Sequence, residues 1–385
     1  MPKSATITVD GRLVKWARES AGLSIEAAAK KAKVRPAIFE EWERTRAYRT
    51  PRQLEALADA FKRPVASFFL PQPPREPNLP ADFRIVPREK PPSFSFQTRI
   101  AIRRARRLRR IFRELVGELG ESERLPALKI TRRDLPEDAG ARARAALGIG
   151  IEEQAKWRDP GVALKMWRHR IEDLGTLIFQ FAMDPEEVSG FSLSNGVPVV
   201  VLNKRDPEAR RVFTLAHEWG HLLLGEPGLC NVEEGRVSRE ESVEVYCNAF
   251  AAALLVPLAE FQASAPSLAF REHRASLREA IEEAVRLSAV SREVILRRFL
   301  TARAITRDTY QQTIDTWRRE RHPPIATKKG RKIPHYTARA ELGARFISRV
   351  FAAHERGLLT EADVADYLSL RLKHLPKLQE RLPGG

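Results

Sequence analysis

RRVFTLAHEWGHLLLG, residues 210–225, is the stretch on which the reading of this chain turns. His217 and His221 stand four residues apart in a helical run. On a helix that offset is about 40° of rotation and about 6 Å of rise, so both imidazoles reach one cation. Glu218 lies one step round, close enough to address a water at that cation. The plainer alternative is a helix carrying two incidental histidines. Gly220 costs a helix interior roughly 1 kcal/mol against Ala, which points to close approach of another backbone.

His-Glu-x-x-His is the pattern of zinc peptidases, and a catalytic zinc needs a third protein ligand and an open position. After the reversing stretch Gly225–Gly235, ESVEVYCNAFAAALLVP (residues 241–257) reads as a second helix with acids at its start. Glu244, 23 residues beyond His221, is well placed as third ligand, while Glu240 and Glu241 compete from one turn earlier. A structural zinc is normally closed by four protein ligands; three are found, which favours catalysis. Cys247 reads as a small packing residue, or as a redox-sensitive neighbour of the metal. Cys230 has no stronger claim. His273 is a possible oxyanion stabiliser, although a lone histidine is more often structural.

Working upstream, β-like runs at Thr176–Phe181, Gly190–Leu193 and Val197–Leu202 are separated by Asp184-Pro185 and Asn195-Gly196 turns. Asn-Gly between apolar runs signals a hairpin, and an open edge near Val197–Leu202 suits substrate held as an added strand. Asp159 and Pro160 open a helix through Leu174. Residues 98–119 form an amphipathic helix whose outer face holds Arg103, Arg104, Arg106, Arg107, Arg109 and Arg110. That face is either a solvated surface of a packed helix or a contact for nucleic acid.

The first seventy residues read as five short helices with clear punctuation. Gly22 ends the first, Ser24 caps the second, Pro36 stands in the first turn of the third, and Thr50 with Pro51 opens the fourth. The segment carries 14 basic and 8 acidic side chains, a net charge of +6 that suits phosphate contacts. The helix from about Arg35 to Arg44 holds Glu40, Glu41 and Glu43 and none of the Ser, Thr, Asn or Gln that usually touch base edges. Arg35, Arg44 and Arg46 are left as the candidate DNA-binding residues. Docking of protein is the alternative use of such a bundle.

Eight prolines between Pro71 and Pro92 mark an extended linker, and RRERHPPIATKKGRKIP (318–334) marks a second, basic one. The chain of 385 residues has 67 Lys and Arg against 50 Asp and Glu, a net charge of +17, so it is attracted to anionic partners. Two cysteines exclude a disulfide framework and fit a reducing compartment. The N-terminus lacks the apolar stretch of a signal peptide, and no apolar run reaches a membrane span; a cytoplasmic protein is expected, with no membrane contact.

At this point the chain resembles the ImmA/IrrE-type zinc metallopeptidases, many of which carry a helix-turn-helix domain of the xenobiotic-response-element type in front. The resemblance rests on GLSIEAAAKKAKVRPAIFEEWE with RTPRQLEALADAF, on RPVASFFLPQPP followed by LPADFR, on FTLAHEWGHLLLG, and on Glu244 to Pro257. It implies that His217, His221 and Glu244 hold Zn2+ and that Glu218 is the general base. Cys247 stands where the pattern usually has alanine. It also implies a protein substrate, a helix-turn-helix repressor, cleaved under stress or induction, with DNA a possible partner through residues 1–70 and the basic segments.

A multidomain, mainly α protein follows. The expected order is a helix-turn-helix bundle at 1–70, a Pro-rich linker at 71–98 and an α+β zincin-like metallopeptidase with a small β-sheet at 99–260. A helical, helix-turn-helix-like extension at 261–317, the basic linker at 318–334 and a C-terminal helical tail at 335–385 complete it. The alternative function is a non-proteolytic DNA-binding regulator whose zinc site senses or stabilises.

Overall fold

A computed structural model of the chain describes residues 7–45, 47–74, 83–85, 94–123, 127–225, 239–320 and 333–380. The chain divides into two compact units: Met1–Leu79, Ile85–Arg106 and Ala182–Glu187 in one, and Pro80–Arg84, Arg107–Phe181 and Val188–Gly385 in the other.

In the first unit, β1 (Ile7–Val9), α1 (Gly11–Ser20), α2 (Ile25–Ala32), α3 (Pro36–Arg44), β2 (Ala47–Arg49) and α4 (Pro51–Phe61) precede a 3-10 turn at Val65–Phe69. Four α-helices and this turn stand where five helices were expected. Each start is chemically marked: Ser24 Oγ accepts from the Ala27 amide at 3.2 Å, and Thr50 with Gln53 forms a full capping box. Lys33, in the left-handed region, ends α2 and makes the turn into α3. Phe39, Trp42, Leu57, Phe61 and Phe68 fill the core. β1 and β2 pair antiparallel.

β3 (Phe83–Ile85) lies within the Pro-rich segment, and α5 (Phe96–Glu118) follows. At the start of α5 the Glu187 carboxylate accepts from the Ser95 amide and hydroxyl at 2.9 Å each and from Thr98 Oγ1 at 2.7 Å. Its arginine face is partly bound within the protein. Arg103 donates to the Phe61 carbonyl at 2.6 Å and Arg107 pairs with Asp366 at 2.6 Å.

The second unit contains α6 (Pro136–Leu147), α7 (Ile151–Gln154), α8 (Pro160–Asp173), β4 (Leu177–Phe181), β5 (Val188–Leu193), β6 (Val199–Asn203), α9 (Glu208–Leu224) and α10 (Arg239–Leu255). Asp159 caps α8 by accepting from the Val162 amide at 3.0 Å. β5 and β6 form the antiparallel hairpin signalled by Asn195-Gly196, whereas β4 pairs with β6 in parallel. Strand order is β3-β5-β6-β4. Val197–Leu202 therefore has no open edge: β6 has a strand on either side, and strand addition there is ruled out. The parallel β4–β6 pairing needs a crossover, and β5 with its turns is inserted in that connection.

α9 crosses the sheet with one face on β5 and β6 and the other on α8 and α10. Gly220 faces α10, where an added Cβ would stand 2.8 Å from Phe250 Cδ1. The neighbour is a side chain, where the sequence had pointed to a backbone. Gly140 does the same for α6, with Ala253 Cβ at 2.8 Å and backbone atoms at 2.9 Å. The C-terminal carbonyls of α10, orphaned as at any helix end, are satisfied by buried side chains. Arg144 donates to Leu254 O and Gln154 to Leu255 O, each at 2.9 Å. These bonds fix α10 along its axis, and with it Glu244.

Beyond α10 come α11 (Leu258–Ala263), α12 (Ala265–Arg271), α13 (Leu277–Ser288), α14 (Arg292–Thr301) and α15 (Arg307–Arg319). Ser291 stands at the cap position between α13 and α14, but its side chain makes no capping bond. Phe299 of α14 packs edge-on against Phe261 and Phe270. Buried Arg298 donates to Val256 O at 2.5 Å and to both oxygens of Glu137. The tail is α16 (Pro334–Leu342), α17 (Ala344–Glu355), α18 (Glu361–Leu368), a 3-10 turn at Leu372–His374 and α19 (Leu375–Gln379). It packs on β4 and α8: Arg168 and Gln180 donate to Ala340 O, and Glu172 accepts from the Ala344 amide at 3.2 Å. No helix among the described residues is long and apolar enough to cross a membrane.

Candidate metal centre

α9 runs from Pro207, its N-cap, to Gly225, whose φ of 61° ends it. A carboxylate at Glu208 complements the positive helix start. Its buried residues include the run from Val212 to His221, so the histidines are held inside the unit rather than on a solvated face. His217 Nε2 and His221 Nε2 lie 3.1 Å apart. Glu244 on α10 completes a triangle, with one carboxylate oxygen 3.3 Å from His217 Nε2 and the other 3.0 Å from His221 Nε2.

Those edges suit a metal. Four ligands at 2.0–2.2 Å around a tetrahedral zinc are spaced about 3.3 Å from one another. Among the described residues this trio is the one group of His, Cys, Asp and Glu atoms that could hold a metal ion. Glu244 keeps 40% of its side chain exposed while both histidines are buried, so the trio is open on one side.

Metal-free, the three groups form a charge-coupled cluster. Burial opposes charge on His221, but hydrogen bonds that its ring donates to Cys247 and Glu244 override it and push its pKa up to about 11. Burial likewise opposes the Glu244 carboxylate; His217 and His221 hold it well below the usual range nonetheless. A cation takes over the role of those protons.

Glu218 is buried between α9 and β5, and its carboxylate accepts from Ser192 Oγ at 2.9 Å. Gly190, two residues earlier on β5, makes room for this approach: a Cβ there would stand 2.5 Å from Thr214 Cγ2 and 3.6 Å from Glu218 Cγ. A strand, two helices and a glycine thus bring two imidazoles and two carboxylates together.

Comparison with known families gives the site its context. Residues 171–300 match the family model described as the IrrE N-terminal-like domain, of the M78 peptidases, and residues 11–67 match a helix-turn-helix domain. The chain carries an IrrE N-terminal-like peptidase domain behind a helix-turn-helix domain. No curated protein and no solved structure gave a match.

Within the peptidase domain the structure brings together four of the residues read from sequence: His217, Glu218, His221 and Glu244. The Glu240 and Glu241 side chains, Cys230 and most of the loop after Gly225 lie outside the described residues. Cys247 is fully buried and hydrogen-bonded to His221, while burial pushes its thiol pKa up, the mark of a packed thiol rather than a reactive thiolate. His273 ends α12 in an exposed left-handed conformation, and no contact among the described residues links it to the trio. Ser192 was missed, because a serine alternating along a strand carries no signal until the strand is docked.

In the helix-turn-helix domain, Arg35 is the exposed N-cap of α3 and Arg44 is exposed but paired with Glu40. Glu43 is committed to a part-buried bidentate pair with Arg18, at 2.6 and 3.0 Å. Glu41 faces solvent. Arg46 lies outside the described residues.

Proposed function

We propose that this protein is a zinc-dependent endopeptidase that cleaves a helix-turn-helix repressor and thereby regulates transcription or a stress response. The observation that carries the reading is the convergence of His217, His221 and Glu244 within 3.3 Å beside a buried carboxylate, Glu218. Zinc, when bound, supplies Lewis acidity that brings the pKa of a water toward neutrality and polarises the scissile carbonyl.

The remaining work falls to the chain's own groups. His217 and His221, neutral, and Glu244, ionised, hold the ion from one side and leave the solvent side for substrate. Glu218 accepts a proton from the attacking water and passes it to the leaving amine. Ser192 donates to one oxygen of Glu218 and so aims the carboxylate. Packing of α9 against β5 and α10 keeps these groups from swinging apart during turnover.

Three donors among the described residues and an exposed side also weigh against a purely structural or sensory zinc, for which a fourth protein ligand is expected. The helix-turn-helix domain is proposed to dock DNA weakly, through phosphate contacts, in the cytoplasm. Metal analysis tests the ligand set: about one zinc per chain is expected, with His217→Ala losing it. Full zinc occupancy in that variant would refute the assignment.

A further inference from the structure

A second chemical site is present in the larger unit, away from the histidines. A cavity of about 550 Å³ opens between α8, the first turns of α9, β4 and the tail helix α16, a size ordinary for small-molecule sites. Its floor holds two guanidinium groups. Arg168 is 7% exposed and is held in place by Glu172, Ala340 O and Ile178 O. Arg211 donates to Asp206 O, Gln180 and Glu208. Burial lowers the Arg211 pKa, and the like charge of Arg168 lowers it further.

The rim adds two cations that have no ion-pair partner among the described residues. Lys165 and Arg339 both line the cavity, and neither makes a side-chain hydrogen bond or ion pair with any described residue. Glu172 and Glu208 are the carboxylates of the wall, and both are already engaged by Arg168 and Arg211. Four cations against two carboxylates leave an excess of two positive charges. Leu164, Met166 and Tyr336 supply an apolar side to the same space.

From this we infer that the cavity binds a small molecule carrying a phosphoryl group, of about the size of a nucleoside monophosphate. A dianionic phosphoryl group matches the charge excess, and the Arg339 guanidinium, uncommitted among the described residues, pairs with phosphate oxygens in two-point geometry. The buried floor is reached only by something that enters the cavity, which selects a small molecule over a nucleic-acid backbone. The apolar side takes a ring.

Gly161–His169 and Tyr336–Ala344 lie outside the residues matched by the peptidase family, while Glu208 and Arg211 lie inside, on the helix that carries His217 and His221. Occupancy therefore braces α9 from its N-terminal end. An effect on cleavage rests on the peptidase reading; binding itself does not.

The experiment is titration calorimetry of the full-length, zinc-loaded protein with the four ribonucleoside monophosphates, ribose 5-phosphate, adenosine and inorganic phosphate. At least one phosphorylated compound is expected to bind, and adenosine at least tenfold more weakly than AMP. The variant Lys165→Glu/Arg339→Glu changes exposed and half-exposed positions only, and is expected to weaken binding at least tenfold while circular dichroism and zinc content stay unchanged. No binding by any phosphorylated organic compound, equal binding of adenosine and AMP, or undiminished binding by the folded double variant would each overturn the inference. Phosphorylated-ligand binding to a protein that cleaves nothing would leave this site standing and remove only the proposed activity.

Discussion

Gly220→Ala places one methyl group of α9 against Phe250 of α10. The added carbon would stand 2.8 Å from Phe250 Cδ1, 3.3 Å from Cε1 and 3.6 Å from Cys247 Sγ, against about 3.5–4.0 Å for carbon atoms at rest. Phe250 is fully buried beside Trp219, so its ring has nowhere to turn and the helices must part by several tenths of an ångström. Alanine gains about 1 kcal/mol in helix propensity, and overpacking costs about 1–3 kcal/mol, so stability changes little or falls by up to about 2 kcal/mol. Metal affinity suffers more, because α10 carries Glu244 and α9 carries both histidines. A loss of about 10–100-fold in zinc affinity is expected, the usual cost of disturbing the support of a metal ligand. Competition with a chromophoric chelator reads it, and Gly220→Val should lose more than Gly220→Ala. Unchanged or tighter zinc binding in both variants would refute the idea that this contact sets the site.

Two further outcomes follow from the charges. In metal-free protein, His221 has a folded pKa near 11 against 6.5 for the free side chain, so its stabilisation is complete below about pH 6.5 and fades as pH rises toward 11. Glu244, depressed, adds stabilisation that is present above about pH 4.5 and is lost in acid. Urea unfolding of chelator-treated protein should therefore show weakening between pH 6.5 and 9, while zinc-loaded protein gains over that range because zinc competes with protons for the histidines. A flat profile without metal would count against the coupling. For nucleic acid, duplex binding measured by anisotropy should fall steeply with salt and show little sequence preference, since Arg44 is tied to Glu40 and Glu41 faces out. Removing residues 1–70 should weaken it without touching zinc; unchanged affinity would move the activity to the arginine-rich α5 or the tail.

Much of this organisation is written locally. Ser24, Thr50, Asp159 and Thr360 each cap the helix their position announces, and Asn195-Gly196 turns the hairpin. The histidine spacing on α9 needs only helical geometry to become a site. What the sequence concealed depends on partners far along the chain. The parallel pairing of β4 with β6 follows from a crossover that no local pattern encodes. Ser192 becomes a neighbour of Glu218 only when β5 lies on α9, and the arginines of α8 and α9 become one cavity only when α16 closes it. A helical tail was expected, but not its seat on β4.

Incubation of the zinc-loaded protein with helix-turn-helix repressors encoded near it, with Glu218→Gln as control, is the most direct test. The substitution keeps the shape of the side chain and the metal trio and removes the base. Cleavage by the unmodified protein, reduced at least about a hundredfold in Glu218→Gln at equal zinc content, is the expected result. Equal cleavage by the two proteins would contradict the mechanism outright.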